Sequence, residues 1–335
     1  MKNIIRIGIF LLIGIGFIWW FVAKLTPEEI DEVIYSFKHA NYYWFSLAVL
    51  INILSHYIRS IRWKQLISPL GYNPKLMPTF FAVMCGYLAN LAVPRLGEIV
   101  RCGLVRNSQK IPFEKVAGTV IAERAVDTLL FILILFSSLL LEYNLLKDYL
   151  YDNFKDVIDF SNLCNLFLYI GIGIVLIIIL IILFRKRIGR SKIYLKIKDI
   201  FLGLMEGVKT IFKLKNPLLF IFNSLFIWFL WILGTYIIFL CLNDTKTLSF
   251  EIAIIITVFG AIGPIITPGG IGIYPAIIAE SLAIYLISKP IGYASGWLMW
   301  IVSQVGIIVL GLYGFIYFSS KHHNILKLIT KKDDE

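Results

Sequence analysis

The chain has 335 residues, of which 59% are hydrophobic and 16% are charged. A mean hydropathy of +0.82 excludes an ordinary soluble domain and indicates an integral membrane protein. The net charge of +11 does not indicate nucleic-acid binding, because most Lys and Arg residues lie in short segments between apolar runs. The positive-inside rule places these basic segments in the cytoplasm: 1–6, 59–77, 95–117, 185–216 and 321–335.

The cysteines lie singly in or beside apolar runs, without a CxxC pair: Cys85, Cys102, Cys164 and Cys241. We therefore expect free, hydrophobic cysteine side chains and neither a disulfide nor a zinc site. The sequence contains no HExxH zinc motif and no GxSxG nucleophile turn. These observations predict no metal site, no cofactor and no catalytic residue.

Six apolar stretches are candidates for spanning helices, which need roughly 18 apolar residues or more: about 5–23, 42–58, 117–141, 163–184, 217–242 and 291–318. Basic residues at both ends of the chain predict that both termini lie in the cytoplasm. After the first stretch, Thr26-Pro27-Glu28-Glu29 has the Thr and Glu of a capping box. It predicts a short amphipathic helix on the outer surface.

Two further apolar stretches are interrupted and predict helical hairpins that enter and leave the membrane on one side. The first, about 78–116, is broken near Pro94 and Gly97. Broken helices at membrane depth are tolerated only where their backbone is buried in protein or lines a wet cavity. The second, about 250–288, has prolines and glycines that a regular helix cannot accommodate. Interrupted segments in both halves of a chain indicate a transporter site near the membrane midplane.

The remaining hydrophilic segment, 185–216, has the pattern of a basic amphipathic helix on the anionic inner leaflet. It is shorter than the roughly 50 residues that a separate domain normally needs. We therefore predict a single membrane domain over 1–335. The predicted fold is all-α and polytopic, with about six spanning helices and two hairpins, or six to eight transmembrane segments.

Six ionisable residues lie beside or inside the apolar segments: Arg95, Glu98, Arg101, Glu123, Arg124 and Asp127. An unpaired charge at the bilayer centre costs roughly 2.5 to 3.5 kcal/mol, so we expect these groups to pair. Residues three or four apart share a helix face, so Glu98 and Arg101 are predicted to form an ion pair, with Arg124 within reach of Asp127. Two interpretations stay open: the charges only neutralise one another, or they form a polar substrate site.

A basic run, Arg59-Ser60-Ile61-Arg62-Trp63, follows the second predicted helix. It is explained either by positive-inside anchoring with an interfacial tryptophan or by phosphate capture through the two arginines. Beyond the second break, Glu280 is either an acidic partner of the glycine-rich turn or a side chain at the outer surface.

The polar and glycine-rich motifs follow one another in a defined order: Arg59-Ser60-Ile61-Arg62-Trp63, Asn90, Pro94-Arg95-Leu96-Gly97-Glu98 with Arg101, Glu123-Arg124 with Asp127, and Pro268-Gly269-Gly270-Ile271-Gly272. Over nearly the whole chain, this order and spacing resemble the flippase-like membrane domain of the lysylphosphatidylglycerol synthases. The resemblance implies a stand-alone copy of that domain, so we expect no soluble transferase domain. With Glu280, the candidate substrate-binding residues are Arg59, Arg62, Asn90, Arg95, Glu98, Arg101, Glu123, Arg124, Asp127, Gly269 and Gly270.

Two classes of function are compatible with these motifs. The first is a lipid translocator, in which arginines hold an anionic phospholipid or polyprenyl-phosphate headgroup and the hairpins alternate access. The second is a membrane-embedded enzyme, since Glu123 and Asp127 are suited to acid–base chemistry, or a non-catalytic partner in lipid or glycan modification. The expected partners are anionic membrane lipids and a membrane or cytosolic lipid-modifying enzyme, without nucleic acid. The expected location is the cell membrane.

Overall fold

The computed structural model describes residues 15–93, 95–141 and 214–330, and all regular structure within these ranges is helical. Three helices there are long and apolar enough to cross a membrane: Tyr42–Leu70, Pro217–Phe239 and Lys289–Ser320. The prediction of a polytopic α-helical membrane protein is thereby confirmed. The predicted helix at 163–184 and nearly all of the predicted connector at 185–216 lie outside the described residues.

The first described elements are a helical segment at 15–22 (α1) and the short helix Pro27–His39 (α2). The predicted capping box is confirmed: the Glu29 amide donates to the Thr26 hydroxyl at 3.3 Å, and the Thr26 amide donates to the Glu29 carboxylate at 2.8 Å. Val33 and Phe37 on one face of α2 pack against the hydrophobic core. The helix is therefore amphipathic as predicted, while its place on the outer surface stays a prediction.

The third helix, α3 (Tyr42–Ile67), continues well past the predicted end at residue 58. The predicted position of Arg59, Arg62 and Trp63 beyond the end of the helix is therefore wrong, since all three lie within it. Arg, Lys and Gln are good helix formers, and the first strong helix breaker after Tyr42 is Pro69. A 3₁₀ turn at Ser68–Leu70 then ends the helix.

The first interrupted stretch forms a pair of antiparallel helices, α4 (Leu76–Ala92) and α5 (Leu96–Gln109), while its entry and exit on one side of the membrane stay a prediction. At the open end, the Gln109 side chain accepts from the Lys75 amide at 2.6 Å. At the closed end, the Gly97 amide donates to the Asn90 side chain at 2.7 Å. With 17 and 14 residues, the two helices are about 25 and 21 Å long and shorter than a bilayer core of about 30 Å.

The helices that follow have these bounds: α6 (Phe113–Leu141), α7 (Pro217–Phe239), α8 (Phe250–Gly260), α9 (Gly263–Ile266), α10 (Ile273–Ala283) and α11 (Lys289–Thr330). A second 3₁₀ turn, Pro268–Gly270, lies between α9 and α10. Helix α7 packs along α3, and α11 packs against α4 and α10. The last helix is longer than the predicted 291–318 at both ends.

The second interrupted stretch forms α8 and α10, which are joined by an irregular turn, while its entry and exit on one side of the membrane stay a prediction. Gly260 at the end of α8 packs against the ring of Tyr274 at the start of α10. Gly269, with a φ of 63°, occupies the left-handed region that favours glycine. Its carbonyl accepts from the Trp300 indole at 2.8 Å, and Leu91 of α4 packs on its Cα side. The closed ends of the two hairpins are therefore in contact.

Two hydrophobic clusters hold this arrangement together. The larger cluster lies among α3, α7, α8, α10 and α11. The smaller cluster joins α3, α4, α5 and α6 through residues such as Trp63, Val83, Val105 and Val120. The charged network described below lies on three of these helices, α3, α5 and α6.

Candidate functional site

Glu123 of α6 is the centre of a buried ion-pair network. Its carboxylate lies 2.9 Å from Arg59 Nε, 3.2 Å from Arg62 Nη2 and 3.0 Å from Arg101 Nη1. The exposed fraction of the Glu123 side chain is 1%. Three guanidinium groups from two other helices therefore converge on one carboxylate inside the protein.

Asp127, one turn further along α6, binds the same two arginines of α3. Its carboxylate pairs with Arg59 and lies 2.7 Å from Arg62 Nη1. The Arg62 side chain is fully buried and also donates to the Ser224 hydroxyl of α7 at 3.2 Å. Because these two arginines point into the protein, the anchoring interpretation of the basic run is wrong.

The inner network comprises three guanidinium groups and two carboxylates, which leaves one positive charge in excess. Coulomb attraction offsets the desolvation of buried ions only when each charge has a counter-charge. An excess guanidinium charge within a membrane protein therefore favours an additional anion at this place.

Arg101 is held by packing as well as by its ion pair. Its guanidinium carbon lies 4.7 Å from the centre of the Trp63 ring, within cation–π range. The Trp63 indole in turn donates to the Thr119 hydroxyl of α6 at 2.9 Å. Trp63 is fully buried, so the predicted interfacial position of this tryptophan is also wrong.

A second ion pair lies at the rim of the network and joins the hairpin to α6. Glu98 Oε1 lies 2.6 Å from Arg124 Nη2, with 27% and 46% of the side chains exposed. The predicted pair of Glu98 with Arg101 is wrong, because each residue binds a partner on α6 instead. Arg124 was predicted to lie within reach of Asp127, but it pairs with Glu98 instead.

A small pocket of about 10 Å³, open on one side, lies between α4, α5 and α6. Its lining combines four polar residues with four small or apolar ones: Asn90, Glu98, Arg101, Arg124, Val83, Gly86, Tyr87 and Gly97. Arg101 Nη2 and Glu98 Oε2 are buried and lack a hydrogen-bond partner among the residues described. Two guanidinium groups, those of Arg101 and Arg124, thus line the pocket, and the Arg101 group has one unused hydrogen-bond donor.

The other predicted site residues have different surroundings. Arg95 is exposed at the start of α5, with a φ of 66°, and makes no ion pair with the described part of the chain. Gly269 and Gly270 shape the turn of the second hairpin. Glu280 is half exposed and pairs with Lys289 at 2.9 Å, which agrees with the surface interpretation of this residue.

Sequence reasoning missed Tyr87, Gly86 and Val83 as pocket residues. All three lie on the face of α4 that carries Asn90, at helical spacings of three, four and seven residues. Tracing that face backward from Asn90 would have found them. The contact of Trp63 with Arg101 had no comparable signal, because it depends on how α3 and α5 pack.

Fold and site together define a class: a polytopic α-helical membrane protein with a buried, cation-rich ion-pair network beside a broken helical hairpin. The chain belongs to the family described as the lysylphosphatidylglycerol synthase TM region, whose model matches residues 3–311. The resemblance inferred from the motifs is thereby confirmed.

Three archaeal relatives are named as UPF0104 membrane proteins. Protein MJ1595 of Methanocaldococcus jannaschii is 30% identical over 133 residues, which is 39% of each chain. Protein MJ1078 of the same organism is 28% identical over 72% of this chain and 97% of its own length. A relative from Methanothermobacter thermautotrophicus is 22% identical over 92% of this chain and 95% of its own. No solved structure matches the chain.

Proposed function

We propose that the protein is a lipid translocator of the flippase type that binds an anionic phospholipid or polyprenyl-phosphate headgroup. The observation that carries this proposal is the guanidinium of Arg101. One of its nitrogens pairs with Glu123, while Nη2 is buried in the pocket lining without a partner in the described ranges. A phosphate oxygen in the pocket supplies the missing acceptor.

Electrostatics support a phosphate rather than a neutral headgroup. The inner network has one positive charge in excess, and Arg124 adds a half-exposed guanidinium at the rim. A phosphodiester brings one negative charge and therefore neutralises the excess. Arginine forks bind phosphate oxygens through two parallel hydrogen bonds, which fix the headgroup in orientation as well as in place.

The candidate residues take different parts in this proposal. Arg101 and Arg124 contact the phosphate, and the exposed Arg95 attracts it to the pocket. Glu98 and Asn90 hold the rim and the hairpin end, while Gly269 and Gly270 form the opposing hairpin turn. The inner residues keep Arg101 in position: Arg59, Arg62, Glu123 and Asp127.

Family membership supports a role in membrane lipid biology, because the family model is named after a lipid synthase. We place the protein in the cell membrane with both termini in the cytoplasm. Anionic lipids are its proposed partners, together with an enzyme that modifies the lipid it moves.

The proposal is tested by following fluorescent phosphatidylglycerol and phosphatidylcholine across the bilayer of proteoliposomes. Wild-type protein is expected to accelerate movement of the anionic lipid. Arg124→Gln should slow it by about tenfold to a hundredfold, because a hydrogen bond to a charged group contributes roughly 1.5 to 3 kcal/mol.

Arg106→Gln is the matched control, since Arg106 is exposed near the end of α5 and lies outside the pocket lining. It should move the anionic lipid at the wild-type rate. Equal movement of both lipids by the wild type, or an Arg124→Gln rate equal to that of Arg106→Gln, would contradict the proposal.

A further inference from the structure

A polar stripe runs along α3 from the ion-pair network toward the middle of the helix. Asn52, His56 and Arg59 follow one another at spacings of four and three residues and therefore share one helix face. At 1.5 Å per residue, Asn52 lies about 10 Å beyond Arg59 along the helix axis. Polar side chains of the stripe therefore lie well within the apolar part of α3.

Beyond Arg59, two residues of this stripe have buried polar atoms without a hydrogen-bond partner in the described chain. Both ring nitrogens of His56 and the side-chain oxygen of Asn52 are buried and have no hydrogen-bond partner among the residues that the structure describes. A buried polar atom without a partner costs roughly 1 to 3 kcal/mol, so three of them on one face call for a binding partner.

Tyr87 connects the stripe to the pocket. Tyr87 lines the pocket, and its ring centre lies 4.8 Å from that of the His56 ring. The Arg59 guanidinium carbon lies 5.6 Å from the Tyr87 ring centre and 5.5 Å from that of Trp231. The nearby Trp228 indole N–H is also buried without a partner in the described chain.

We propose that Asn52 and His56 bind the uncharged, hydroxyl-bearing part of the headgroup and so select glycerol or sugar phosphates. The inference rests on the proposed function, because it assigns a partner to the phosphate pocket. Asn and neutral His each offer a donor and an acceptor, as a hydroxyl does. Aromatic rings beside them suit the apolar face of a polyol. An ammonium headgroup here would face the excess positive charge of the inner network and be repelled.

Two lipids of equal charge test the selection: phosphatidylglycerol, which has two headgroup hydroxyls, and phosphatidylmethanol, which has none. Binding to the purified protein is measured by native mass spectrometry, and movement is measured in proteoliposomes. Wild-type protein is expected to favour phosphatidylglycerol by about tenfold, the effect of one or two hydrogen bonds in a dry site. A polyprenyl-phosphate sugar as third probe separates sugar from glycerol.

His56→Leu and Asn52→Leu should lower binding and movement of phosphatidylglycerol to the phosphatidylmethanol level and leave phosphatidylmethanol unchanged. His56→Gln, which keeps a donor and an acceptor, should retain at least part of the preference. His39→Leu, at the exposed end of α2, is the control and should behave as wild type.

Equal wild-type binding of the two lipids would overturn the selection, and so would an equal loss of both lipids in His56→Leu. Preferential binding of phosphatidylglycerol without movement of either lipid would support the selection and contradict the translocator. Movement of both lipids at one rate, with equal binding, would leave the translocator standing and refute the selection.

Discussion

Glu123→Ala is expected to remove most of the folded protein from the membrane. The substitution deletes the carboxylate that Arg59, Arg62 and Arg101 share, and it raises the uncompensated charge of the network. Breaking a buried ion pair by removing one partner typically costs about 3 to 5 kcal/mol, a large part of the stability of a folded protein. The measurement is the amount and the melting temperature of the detergent-purified protein.

Glu114→Ala is the matched control, because Glu114 lies in the first turn of the same helix and is exposed. It should leave yield and melting temperature unchanged. Glu98→Ala should have an intermediate effect, since the pair it breaks is partly exposed and such pairs contribute less. A Glu123→Ala protein as abundant and as heat-stable as the Glu114→Ala protein would show that the network does not hold the fold.

Gly97→Ala is expected to separate the two helices of the first hairpin. A Cβ atom at this position would collide with the Gly86 carbonyl oxygen and lie 2.7 Å from the Asn90 side chain. Neither neighbour is free to move, because one is helix backbone and the other bonds the Gly97 amide. Overpacking of this kind costs about 1 to 3 kcal/mol or more and would also distort the pocket.

Gly103→Ala gives the control on the same helix. No residue of the described ranges lies within 4 Å of the Cβ atom that it adds, and alanine is the better helix former. We expect a melting temperature at or above the wild-type value for Gly103→Ala and a clear decrease for Gly97→Ala. Equal melting temperatures of the two variants would contradict the close approach of α4 and α5.

Local sequence signals predicted much of the fold. The breaks at Pro94 and around Gly269 indicated the two hairpins, and the capping box located the start of α2 at Pro27. The extent of α3 was underestimated because Arg59 and Arg62 look like the end of a membrane helix. Helix propensity lets the helix continue to Pro69, and the carboxylates of α6, which are distant in the sequence, explain why these arginines lie inside the protein.

The site was predicted as a set of residues and not as a set of pairs. Spacing along one helix favoured a pair of Glu98 with Arg101, yet both side chains bind residues of α6. Pairing across helices depends on rotation and distance between elements, which periodicity in a single sequence does not determine. For the same reason, the place of Glu280 beside Lys289 followed only from the structure.

The central claim is that Arg124 of the rim pair binds an anionic headgroup together with Arg101 and does more than neutralise Glu98. It is tested most directly by the anionic lipid that stays bound to purified protein, compared between the wild type and the swap of Glu98→Arg with Arg124→Glu. The swap keeps the net charge and the mutual attraction of the pair, but it moves the guanidinium fork to the other helix. We predict normal yield and melting temperature for the swapped protein, together with loss of the anionic lipid that the wild type retains. Retention of the same lipid in the same amount by both proteins would falsify the claim and leave the rim pair as scaffolding.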